Sequence, residues 1–96
     1  MPPEPEQALA SLSKAASVLL MQSKKHQIFR EKKQEAAKQA EAGAAFLKMA
    51  ALVEQHKSLV EADVRDATLV MYYKAAATSL SRAKRLCRDL IRGKED

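Results

Sequence analysis

Apolar and small residues recur between Leu59 and Leu90 in alternating steps of three and four: Leu59, Ala62, Asp66, Leu69, Tyr73, Ala76, Leu80, Ala83, Cys87 and Leu90. Only Asp66 breaks the apolar character of this stripe. A repeat of 3.5 residues stays on one side of an α-helix, so the segment predicts one helix of about 33 residues, about 50 Å long, packed along its length. Ser58 followed by Glu61, with Leu59 and Val60 between them, has the form of a capping box and places the helix start there. Gly93 is the natural terminator just past Arg92.

Two further helices precede it. Leu9, Leu12, Ala16 and Leu19 share one face of a helix from about Glu6 to Gln22. The polar stretch Ser23 to His26, where the apolar phase shifts, predicts a tight turn, with a continuous helix as the alternative. A second helix from about Gln27 to Gln55 carries Phe29, Ala36, Ala40, Gly43 or Ala44, Leu47 and Ala51 inward. Its middle is rich in alanine, which lets a neighbouring backbone come close. Gly43 ends a helix only if it adopts a left-handed cap, and the surrounding alanines favour continuity.

Short turns make consecutive helices antiparallel neighbours. The expected fold is therefore all-α, an up-down-up three-helix bundle with a long antiparallel hairpin of helices 2 and 3 joined around His56 and Lys57. Residues 6–92 form the single domain, with a disordered N-terminus (1–5) and a frayed C-terminus (93–96). In size and topology this resembles small three-helix adaptors of the microtubule-interacting and trafficking type, a likeness of shape that implies no residue roles.

Composition agrees with that class. The 96 residues contain two Gly and three Pro, and all three Pro fall in the first five positions, so turns and strands have little to build on. One cysteine excludes an internal disulfide, and its seam position reads Cys87 as a buried, reduced hydrophobe in a cytoplasmic or nuclear protein. The apolar run Ala15 to Met21 is too short to span a bilayer and follows an acidic start, unlike a signal peptide.

Charge is unevenly spread. The net +5 combines a basic pair of segments with an acidic remainder. Lys24 and Lys25 lie in the turn before helix 2, Arg30, Lys32 and Lys33 near its start, and Arg82, Lys84, Arg85, Arg88 and Arg92 at the end of helix 3. An antiparallel hairpin brings both groups to one end of the bundle. Cations at the end of helix 3 suit its dipole, whereas those at the start of helix 2 oppose theirs. The basic end is thus a candidate site for an acidic protein segment, nucleic acid or anionic lipid.

A short helix 1 covers only the half of the hairpin at that basic end. The other half carries a second apolar stripe, and Met49, Val53, Val60, Val64, Ala67 and Met71 are expected to line a groove for a partner's helix or a second copy. Helix 1 packing differently, or simple exposure of the surplus, is the plain alternative.

Catalytic signals are weak. Ser11 to Lys14 matches S-x-x-K without the accompanying elements of that enzyme class, and His26 and His56 fall in opposite turns, out of reach of a shared metal. Asp66 on the seam is expected to bond Tyr73 or a cation of helix 2. The chain is accordingly read as a non-enzymatic interaction module without cofactor or metal.

Overall fold

The computed structural model describes residues 4–95, which form three helices: α1 (Pro5–Ile28), α2 (Lys32–Gln55) and α3 (Ala62–Glu95), with one 3-10 turn (Lys57–Leu59) before the last. Met1 to Pro3 and Asp96 lie outside the described residues, and with them most of the expected disordered N-terminus and the last position of the expected frayed end. No strand occurs among the described residues. The helices run up, down and up. α2 packs against both α1 and α3, while α1 and α3 scarcely meet, so α2 is the shared member of the bundle.

α1 follows the expected inward stripe, with Ala16 buried and Leu9, Leu12 and Leu19 half-buried. It does not turn at Ser23 to His26. The three-four rhythm runs on through Ser23, which is buried, and His26, which is half-buried. Gln39 of α2 donates to the Ser23 hydroxyl at 2.7 Å, so a polar residue occupies an inward position at no cost in unpaired groups.

The reversal comes at Phe29 to Glu31. The Glu31 amide donates to the His26 carbonyl at 2.8 Å and the Arg30 amide to that of Gln27 at 3.1 Å, the paired bonds of a Schellman motif. Arg30 takes the left-handed position usually given to glycine, at φ 57°. His26 Nδ1 lies 3.1 Å from Glu31 Oε1, a polar link where such motifs commonly have an apolar contact.

The later turn makes α1 as long as α2. Its start also lies beside the far loop, since Glu4, Pro5 and Glu6 share a small hollow with His56, Ser58 and Leu59. α1 therefore runs the full length of α2 and does not leave half of the hairpin bare. Pro5, expected in the disordered N-terminus, instead opens the helix, where a missing amide costs nothing.

α2 passes through Gly43 without a break. Choosing between Gly43 and Ala44 fixes its rotation, and Gly43 is the inward one, with Ala36 and Ala50 seven residues to either side. A methyl group there would stand 2.7 Å from Leu80 Cγ and 3.4 Å from the Ala76 carbonyl oxygen, so the missing side chain is what permits α3 to lie this close.

Ser58 does not cap α3. It sits inside the 3-10 turn, Val60 is extended, and α3 begins at Ala62. Arg65 explains the delay: its guanidinium donates to the carbonyls of Lys57 (2.8 and 3.1 Å) and Val60 (3.2 Å), tying the loop to the first turn of α3. At the other end Gly93 has no positive φ, and α3 continues through it to Glu95.

α3 keeps the expected heptad but is rotated. Leu69, Ala76, Ala83 and Leu90 turn inward, buried or half-buried, as one column of the stripe requires. Their partners are Tyr72, Ser79 and Leu86, the last two buried, while Asp66, Tyr73, Leu80 and Cys87 are exposed. Ser79 conceals this column in the sequence by placing a hydroxyl at its centre.

Arg82 and Glu35 lock the register at the far end. The Glu35 carboxylate is buried and accepts from Arg82 Nε at 2.9 Å across the α2–α3 interface. It is thus a buried, paired carboxylate within a lysine-rich stretch of sequence.

Candidate interaction surface

Four long-range contacts define which face of each helix is committed to the bundle. Gln39 meets α1 and Gly43 meets α3; Glu54 accepts from the Tyr73 hydroxyl at 2.8 Å, and Glu35 holds Arg82. At 100° per residue, Ala40, Ala44, Leu47 and Ala51 fall on the far side of Gly43 from Gln39, away from α1. All four are exposed.

α3 presents a matching edge. Val70, Tyr73, Ala77 and Leu80 follow one another at steps of three and four, and all are exposed, Tyr73 at 43% and Leu80 at 39%. Because Leu80 lies over Gly43 and Tyr73 reaches Glu54, this edge borders the alanine row of α2. The result is an open apolar face between α2 and α3, with alanines as its floor and Leu47, Val70, Tyr73 and Leu80 as its relief. A monomer rarely leaves so continuous a stripe uncovered.

Charge marks both ends of the face. Lys33 and Lys84 stand at one end and Glu54 and Asp66 at the other, all exposed. Lys33, Ala40, Leu47 and Glu54 form one column at intervals of seven on α2; Asp66, Tyr73, Leu80 and Cys87 form its counterpart on α3.

The groove expected from the sequence is divided by the fold. Met49 and Val53 are 3% and 0% exposed and belong to the core, because the longer α1 covers that side of α2. Val60 is half-buried; Val64 and Met71 are exposed on the opposite flank of α3 from Leu80, and Ala67 is exposed on its outer side. The six residues are not brought together in one groove. The open face instead uses residues that sequence reasoning turned inward, Ala40, Ala44, Leu47 and Ala51 on α2 and Tyr73 and Leu80 on α3. The signal that locates it is the heptad column lying three positions before the core column in each helix, Lys33, Ala40 and Leu47 before Ala36, Gly43 and Ala50, and Asp66, Tyr73 and Leu80 before Leu69, Ala76 and Ala83.

The basic residues do gather at one end. Arg82 meets Glu35 near the start of α2, so the last turns of α3 reach and pass the α1–α2 turn. Lys24, Lys25, Arg30, Lys32, Lys33, Lys84, Arg85, Arg88 and Arg92 are exposed there; Arg82 is half-buried and held by Glu35. Phe29, expected inside helix 2, sits in the turn at 65% exposure beside Ile28 at 68%.

Two expected roles change. Cys87 is exposed on the open face and not buried in the seam. Asp66 is also exposed, and Tyr73 donates to Glu54 in its place. That bond, with some loss of solvation and the nearby Glu54 charge, raises the Tyr73 pKa above 10.0. Among the described residues no three His, Cys, Asp or Glu side chains stand together as a metal site, and no helix is long and apolar enough to cross a membrane.

No protein-family model, curated protein or solved structure matches this chain. The surfaces alone carry the functional argument.

Proposed function

We propose that this chain is a non-enzymatic interaction module of the cytoplasm or nucleus whose α2–α3 face accepts a further helix. The supporting observation is the uncovered double row of Ala40, Ala44, Leu47 and Ala51 beside Val70, Tyr73, Ala77 and Leu80. A helix laid along it completes a four-helix arrangement and removes large apolar side chains from water. The double variant Leu47→Asp/Leu80→Asp tests the reading. Both side chains are partly exposed, so helicity should persist. Capture of a labelled three-heptad amphipathic peptide, read by fluorescence anisotropy, should be lost. Equal anisotropy for the variant and the unmodified chain rejects the reading.

A second reading belongs to the basic end. Ile28 and Phe29 project from a turn flanked by Lys24, Lys25, Arg30, Lys32 and Lys33, the pairing of apolar tip and cationic rim that suits an anionic bilayer surface. Ile28→Ser/Phe29→Ser should weaken sedimentation with phosphatidylserine-containing vesicles about tenfold or more. Binding to a single-stranded oligonucleotide that survives the same change unaltered points to phosphate attraction instead.

A further inference from the structure

We infer that the occupant of the α2–α3 face is a second copy of this chain, related by a two-fold axis that crosses the middle of the face and sets the two hairpins antiparallel. The inference rests on the helix-accepting reading above and specifies its partner.

Three features of the face select that occupant. The first is shape. Large and small side chains alternate along the face, and the antiparallel two-fold rotation, which lays α2 on α2 and α3 on α3, sets Leu47 of one copy against Ala40 of the other and Tyr73 of one against Leu80 of the other. Such a surface is complementary to itself, as an isologous interface demands.

The second is charge. One end carries Lys33 and Lys84, the other Glu54 and Asp66, all four exposed. A parallel arrangement would set cation against cation. The antiparallel one sets the Lys33 and Lys84 end of each copy against the Glu54 and Asp66 end of its partner, twice over by symmetry. It also keeps the strongly basic tips, with Arg88 and Arg92, at opposite extremes of the pair, where a net charge of +5 per chain repels least.

The third is extent. From Lys33 to Glu54 the face is about 32 Å long, and two adjacent helices make it about 20 Å wide, so roughly 600 Å² per copy is covered and the total clears the area a specific interface needs. Charged residues lie at its ends and apolar ones at its centre, the usual anatomy of such contacts.

Charge exchange tests the arrangement on the intact chain. One variant carries Lys33→Glu and Lys84→Glu, the other Glu54→Lys and Asp66→Lys. Light scattering over a range of concentrations should give twice the chain mass for the unmodified protein. Each variant alone should dissociate about tenfold more readily or worse, since like charges then meet at both ends. Mixed in equal amounts, the two should recover a dimer containing one of each, because reversed ends again oppose unlike ends.

An unmodified protein that is monomeric at every concentration overturns the inference, while peptide capture by the same face still decides the broader reading. Variants that dimerise as well as the parent, in a protein whose dimer is lost in Leu47→Asp/Leu80→Asp, keep the face and overturn the antiparallel pairing. A dimer that survives Leu47→Asp/Leu80→Asp overturns the inference by placing association elsewhere on the molecule.

Discussion

The two flanks of α3 share one heptad and differ in what that heptad is for. On the flank turned toward the bundle, Ala76, Ser79, Ala83 and Leu86 are buried, and their side chains are small except for Leu86. On the flank beside the open face, Val70, Tyr73, Ala77 and Leu80 have the same spacing and a larger apolar surface, yet remain exposed. Apolar size therefore does not mark the inside of this helix. Small residues do, because the core is made by close approach of backbones, with Gly43 of α2 at the tightest point.

The difference is sharpest in leucine truncations. Leu86 is 3% exposed, and Leu86→Ala should cost about 3 kcal/mol through lost burial and a residual cavity. Leu80→Ala removes an equal number of atoms from the open flank, 39% exposed, and should cost about 1 kcal/mol in the monomer. Chemical denaturation at low protein concentration compares the two; equal losses would mean that both flanks are core.

Cations divide in the same way. Arg82→Ala leaves the buried Glu35 carboxylate without its partner and should cost about 2 kcal/mol, less than a fully buried pair because the Arg82 side chain keeps 34% of its exposure. Arg85→Ala, on the exposed surface three residues on, should fall within about 0.5 kcal/mol of the parent. Indistinguishable melting curves for the two variants would remove Arg82 from the framework of the fold.

Gly43 joins the two flanks. Alanine gains about 1 kcal/mol of helix propensity over glycine, but its methyl group would stand 2.7 Å from Leu80 Cγ. Gly43→Ala should therefore be destabilising by about 1 kcal/mol in the parent and stabilising in a Leu80→Ala background, where the obstructing branch is gone. The sign change is the measurement; a penalty that persists without Leu80 puts the obstruction at the Ala76 carbonyl, and so in the backbone.

Arg30 offers a smaller test, remote from α3. Its positive φ belongs to a position where glycine is at ease, so Arg30→Gly should stabilise the α1–α2 turn by about 0.5 to 1 kcal/mol. Replacing Gln27 or Phe29 by glycine should do the opposite.

These contrasts show what the sequence makes legible. Helix number, order and the continuity of α2 through Gly43 follow from periodicity and the scarcity of chain breakers. Rotation and length do not, and two serines are the reason. Ser79 interrupts the true inner column of α3, so the neighbouring column of Tyr73, Leu80 and Cys87 looks like the better partner for Ala76 and Ala83. Ser23 similarly ends the apparent stripe of α1, although Gln39 satisfies it within the bundle. An arginine at the left-handed position then hides the real turn. With α1 too short and α3 rotated, Met49 and Val53 are assigned to a groove that the fold fills, and the open face is mistaken for core. The clustering of basic residues survives both errors, because antiparallel pairing alone determines it.

The smallest expected effect lies on the open flank itself. The Tyr73 hydroxyl donates to Glu54 at 2.8 Å, and this bond to the neutral phenol is the main cause of its raised pKa. A group whose pKa is higher in the folded chain contributes stability that is fully present below its ordinary value of 10.0 and is lost as pH rises through the folded value. In a Tyr72→Phe background Tyr73 is the one phenol left, and ultraviolet titration should show it ionising later than free tyrosine. Glu54→Gln removes the charge that opposes phenolate formation and should return the midpoint toward 10.0. The same titration reports on the open face. Seating a second copy over Tyr73 withdraws more water from the phenol and disfavours its charged form further, so the midpoint should climb as protein concentration rises. A midpoint that ignores concentration, in a protein that light scattering shows to dimerise, means that Tyr73 stays wet in the dimer and that the two copies meet through some other part of the molecule.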